Sequence, residues 1–266
     1  CCGSPSGGSA KRTSCSKTSR AAGTVTTSQP LPRAALDRCG LNRQVVFNLA
    51  DLPRDIVEIL GTDAAAYRQL ILIGHGGTDL WEAVTRSAGT TTPDPIDDFT
   101  RQSVRQWMAE ELPGQSYTIV YPGAQTIPLQ RLGALAGWHQ PTPFMLGIDA
   151  DWGTWFAYRT AVLADTHFAA ISAVDRSAQG FALGNASPCA TCATRPCVAA
   201  CPASAMSDDT FALQKCLAYR QQPDSPCAFS CLARVACPVG SEHRYGADQL
   251  RHVYATSLRD IRKYSE

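Results

Sequence analysis

Eight of the twelve cysteines in this 266-residue chain fall between positions 189 and 237. The first four read Cys189-x2-Cys192-x4-Cys197-x3-Cys201-Pro202, and Cys216, Cys227, Cys231 and Cys237-Pro238 follow. Closely spaced thiols that end in Cys-Pro, twice over, are the layout that holds two cubane iron–sulfur clusters. Each [4Fe–4S] cluster takes four thiolates, so eight cysteines supply two sets with none left over. The chemistry this implies is one-electron transfer.

Geometry sorts the ligands. Three close cysteines wrap one face of a cubane, while the fourth of the run, before proline, is carried towards the other cluster. The spacing assigns Cys189, Cys192, Cys197 and Cys237 to one cluster and Cys201, Cys216, Cys227 and Cys231 to the second. Four residues separate Cys192 from Cys197 where two are usual, and the second half is looser still. The partition of Cys227, Cys231 and Cys237 is therefore more open than the total. Structural zinc competes, but it favours paired Cys-x2-Cys knuckles, and only one occurs here. A disulfide framework suits a small secreted domain better than a chain with 44% hydrophobic residues.

The elements able to position this chemistry lie upstream. The patterning predicts a strand over 44–49, a helix over 52–60 and a buried strand over 69–73. That strand runs into Gly74-His75-Gly76-Gly77 ahead of a helix over 78–87. Phosphates bind at such places, but the residues match neither the dinucleotide fingerprint nor a P-loop, so a tight turn is expected. Ile96, Phe99, Ser103, Trp107 and Met108 share one helical face, predicting a helix over 95–112 that Pro113-Gly114 stops. A strand over 117–121, a helix over 129–138 and two directly paired strands over 144–148 and 155–163 complete the pattern. The fold class expected is α/β (α+β). A layered domain over 34–180 is followed by a two-cluster module over 181–266 that ends in a helix.

Net charge is +1 with 18% charged residues, which argues against nucleic acid as a general partner. No apolar run approaches a spanning helix and no signal peptide is visible, so the expected location is cytoplasmic. Residues 1–33 carry no acid, five Lys or Arg and many Ser, Thr and Gly. They read as a disordered tail, although an organelle-targeting remnant has the same composition. Cys1, Cys2, Cys15 and Cys39 are scattered bystanders. No Ser-His-Asp or Cys-His nucleophile stands out, and the five histidines form no cluster in the sequence.

Leu135-Ala136-Gly137-Trp138, Pro143-Phe144-Met145-Leu146 and Trp152-Gly153-Thr154-Trp155-Phe156 resemble a segment of the epoxyqueuosine reductases, which precedes a two-cluster ferredoxin domain there. Lys215-Cys216-Leu217-Ala218-Tyr219 resembles the element around their lone cysteine. The reductive dehalogenases share that architecture. The stretch 153–159 is closer still to a strand of the cobalamin-processing CblC proteins, which have the first domain without clusters. The resemblance implies a nitroreductase-like domain holding a cobalamin. Electrons would arrive from a ferredoxin, flavodoxin or reductase and pass through the clusters to cobalt, for reduction of a small-molecule substrate or for cobalamin processing. It places Tyr121 where the reductases carry a proton-donating aspartate, and the loss of that aspartate argues against epoxyqueuosine as substrate. Gly153, Trp155 and Arg159 would border the cofactor, with Arg159 meeting an anionic group. On their own, Trp155 and Phe156 read as core residues. Without a corrinoid, the reading is a ferredoxin-type electron carrier whose α/β domain docks a partner.

Overall fold

The computed structural model of the chain describes residues 28–87, 92–171, 187–207 and 210–263. A four-stranded antiparallel sheet organises the first half, in the order β1-β2-β4-β3. Its strands are β1 (Arg43–Asn48), β2 (Gln69–Gly76), β3 (Tyr117–Tyr121) and β4 (Phe156–Ala164). Every residue of β2 is buried, because helices cover both faces of the sheet. Strand alternation sends Ile71 and Ile73 to one face, against Val84 of α3 (Asp79–Arg86) and Val104, Trp107 and Met108 of α4 (Pro95–Glu111). Leu70 and Leu72 face the other way, against Ile56 of α2 (Arg54–Leu60) and Leu132 of α5 (Leu129–Leu135). A short α1 (Ala34–Arg38) closes the first face through Leu36.

Most expected elements lie where the periodicity places them, and four differ for physical reasons. The segment 144–148 is not a strand. Pro141 and Pro143 remove backbone donors there, and the Thr142 hydroxyl donates to the Phe144 and Leu146 carbonyls that a ladder would use. Only an isolated bridge, Gln140 to Ile148, remains, so β4 pairs with β2 and β3 instead. Helix α5 ends at Leu135 rather than 138. Gly137 takes φ +75° and a Schellman ending follows, with Trp138 N–H donating to the Gly133 carbonyl at 2.8 Å. The glycine-rich stretch is no turn either, since Gly74, His75 and Gly76 continue β2. Finally, residues 28–33 are tied down: Gln29 bridges to Phe168 and the Pro32 carbonyl accepts from Trp107 Nε1. The remainder of the expected tail lies outside the described residues.

The second half is built from α6 (Pro196–Ala199), α7 (Leu213–Arg220), α8 (Leu232–Ala236) and the long α9 (Ala247–Lys263). It does not hang off the sheet domain as a separate bead. Phe144 leaves the sheet domain to form a small core with Cys197, Met206 and Ala233. Helix α9 folds back, packing Val253 on the first-face core, His252 on Trp81 at 4.8 Å and Arg259 on Asp94 at 2.9 Å. Among the described residues no helix is long and apolar enough to cross a membrane.

Candidate functional site

The module's loops and short helices bring the eight cysteines into two groups. Cys189, Cys192, Cys197 and Cys237 line one cavity with Pro196, Pro238 and Val239. Cys201, Cys216, Cys227 and Cys231 line another, of about 390 Å³, with Met206, Phe211 and Tyr254. Electrostatics gives the same division. Burial pushes the Cys189 thiol up, and charge on Cys237, Cys197 and Cys192 would push it further. Burial likewise raises Cys216, with Cys231, Cys201 and Cys227 adding to it and Arg220 opposing. Among the described residues, no three His, Cys, Asp or Glu side chains converge tightly enough to hold a single metal ion. Cys39 caps α1 and lines neither cavity, and Cys1, Cys2 and Cys15 lie outside the described residues.

A second cluster of polar groups sits where the sheet meets the module. The ladder between β2 and β4 shifts register, pairing Ile73 with Thr160 but Gly74 with Tyr158, so Arg159 is an extra residue. Bulges of this kind re-aim a side chain. Here Arg159 Nε donates to His75 Nδ1 at 3.0 Å, and its Nη1 lies 4.0 Å from Asp97 Oδ1. Arginine only donates, so Nδ1 must be the acceptor and neutral His75 carries its proton on Nε2. That proton points at the Tyr245 hydroxyl, 3.1 Å away. Burial holds His75 well below its usual value, and Arg159, Arg234 and Arg43 hold it lower still. The glycines beside it are needed for close approach: a Cβ on Gly76 would lie 2.2 Å from the Trp152 ring.

Tyr121 ends β3 at the same corner, its carbonyl accepting from Thr160 Oγ1 at 2.6 Å. Burial and then the Asp97 carboxylate push its hydroxyl up, while Arg159 opposes them. Burial also raises Asp97. The structure therefore brings Tyr121 and Arg159 together and adds Asp97, which motif reading passed over, and His75, which it placed in a tight turn. Asp97 looks like an ordinary first-turn acid of an amphipathic helix. His75 carried a signal, a histidine flanked by glycines inside an apolar strand.

Gly153 and Trp155 do other work. Gly153 has φ +57°, and a Cβ there would meet the Val239 carbonyl at 2.0 Å, so the loop presses directly on the module backbone. Trp155 is fully buried, with the Arg234 guanidinium 4.4 Å over its ring and the Tyr245 ring edge-on at 5.5 Å.

No protein-family model matches the chain, and no curated protein does. Two solved structures are similar in outline. An epoxyqueuosine reductase from Streptococcus thermophilus has 12% identity and a TM-score of 0.46, over 77% of this chain and 64% of that one. One from Bacillus subtilis, with a catalytic loop swung out of its active site, has 10% identity and 0.46, over 80% and 66%. The chain thus spans just under two thirds of the length of either structure. Likeness at this distance assigns no activity.

Proposed function

We propose that the chain is an iron–sulfur redox protein whose two cysteine quartets, Cys189/Cys192/Cys197/Cys237 and Cys201/Cys216/Cys227/Cys231, each hold a [4Fe–4S] cluster. The supporting observation is the sorting of the thiols. Members of one quartet feel one another's charge, yet no set closes on a single ion. Tetrahedral zinc draws its sulfurs to about 2.3 Å from the metal, whereas a cubane spreads its four ligands more widely. Bound clusters would supply one-electron transfer. The protein's own part is to exclude water around the sulfurs, through Phe144, Met206 and Ala233, and to hold Tyr121 and Asp97 beside Arg159, where burial pushes the proton affinity of both groups up.

The corrinoid that the resemblance implies does not fit the residues assigned to it. Gly153 is sealed against Val239, Trp155 has no exposed surface, and Arg159 is engaged by His75. Anaerobic reconstitution should give a brown protein with about eight iron and eight acid-labile sulfide per chain. About two zinc and no labile sulfide would overturn the reading. Excess cobalamin should leave the corrinoid spectrum unchanged; a shift with co-elution would restore the corrinoid to this domain.

A further inference from the structure

The two quartets differ in the charge buried beside them. Arg220 and Arg234 both line the cavity of the Cys201 set. Both are more than nine-tenths buried, at 8% and 4% exposure. Arg220 spends its donors on the Cys227 carbonyl at 3.2 Å, Ser257 Oγ at 3.1 Å and the Tyr254 carbonyl at 3.1 Å. Arg234 donates to the Thr154 carbonyl and lies between the rings of Trp155 and Tyr245, at 4.4 and 4.6 Å. Among the described residues neither guanidinium pairs with a carboxylate. Two buried cations without counter-charge are costly, and removal of water leaves little to screen them. Among the described residues no arginine that lines the cavity of the Cys189 set is buried as deeply: Arg195 is half-buried, Arg244, donating to the Cys237 carbonyl at 3.3 Å, is exposed, and Arg234 reaches that cavity only through the Thr154 carbonyl at its wall.

We infer that Arg220 and Arg234 are the built-in counter-charge of the second cluster, fixing it as the higher-potential centre and the one to which electrons run from the Cys189 set. The inference rests on the iron–sulfur reading of the cysteines. A cubane with four thiolates is doubly negative when oxidised and triply negative when reduced. One electron enters, no bond forms or breaks, and the added charge is what the two guanidiniums stabilise. A fixed positive charge favours the reduced form, so it raises the potential of the cluster it touches and leaves the remote one nearly unmoved.

The test is an EPR-monitored redox titration of the anaerobically reconstituted full chain. Cys197→Ser and Cys216→Ser identify which signal belongs to which quartet. In the unsubstituted chain the higher potential should belong to the Cys201 set. Arg220→Gln should lower that potential alone and Arg234→Gln should lower it more than the other, each reducing the equilibrium constant for its reduction tenfold or more, about 59 mV for one electron. The Lys variants should return most of the loss, and Arg244→Gln should move neither potential. If the Gln variants fail to load iron, the parent assignment and the Lys variants decide. The higher potential on the Cys189 set, or equal shifts of both clusters, would overturn the inference. A parent chain that loads no cluster would overturn the redox reading itself, a separate result.

Discussion

His75 is held between Arg159 on one ring nitrogen and Tyr245 on the other, with 1% of its surface exposed. Its replacement should be felt as two orphaned polar groups. His75→Ala should cost about 2–6 kcal/mol, at about 1–3 for each unsatisfied buried partner, measured by urea unfolding of the anaerobic holo-protein. His75→Gln, which can accept at one end and donate at the other, should cost less. The pH dependence has a definite sign. Unfolded chain takes up a proton at this residue near pH 6.5, whereas the folded chain holds His75 neutral well below that value. The stability this contributes is complete above about pH 6.5 and declines below it, by up to about 1.4 kcal/mol per pH unit. His139 and His252, also lowered chiefly by burial, act with the same sign. The difference in slope between parent and His75→Gln isolates His75; identical slopes would show that it titrates normally.

Among the elements, the cysteine loops and the glycine contacts carry separate expectations. Cys192→Ala should drop iron from about eight to about four per chain, since one quartet loses a ligand, and Cys39→Ala should leave it at eight; the reverse pattern would refute the ligand division. Gly153 and Gly240 press on each other's backbones with φ +57° and +61°. Alanine at either should cost more than about 1 kcal/mol through strain and contact together, visible as a lowered Tm with the module loosened. These two glycines had no signal in the pattern, because a close approach between loops more than eighty positions apart leaves no periodicity. The sheet was far more legible. Runs such as 69–73 and 117–121 are compact, apolar and bounded by turn residues, so local chemistry marks them. The strand expected over 144–148 was equally apolar, yet its Phe144 serves the module core and its backbone is claimed by Thr142. Apolar letters alone fix neither pairing nor burial, since Met145 and Leu146 in that segment are exposed.

The molecule's two halves depend on each other unequally. The sheet domain has large cores on both faces, whereas the module has one small core built around Cys197, Met206 and Ala233. The proposed clusters would therefore supply much of the module's folding energy. Stripping the iron with a chelator should open residues 187–263 to limited proteolysis while a fragment spanning the sheet survives. Unchanged protection by mass spectrometry would mean the module stands without metal. The gathering of the module's cysteines was legible because their spacing is local along the chain; the arginines behind them, and Asp97 beside Tyr121, were not, since a buried cation and a solvated one are the same letter. One contact has a consequence for how the protein is made. Tyr245 lies 170 positions beyond the His75 it caps, and β4 closes the sheet at Ala164. At about 5–20 residues per second of synthesis, the nascent sheet waits several seconds with His75 and Trp155 uncovered. With the proposed clusters it would then wait longer for iron, which firms the module that shields them. A cell short of iron would hold this protein as a half-dressed intermediate open to proteases. The amount of protein that survives, and not only its redox activity, should then follow the metal supply.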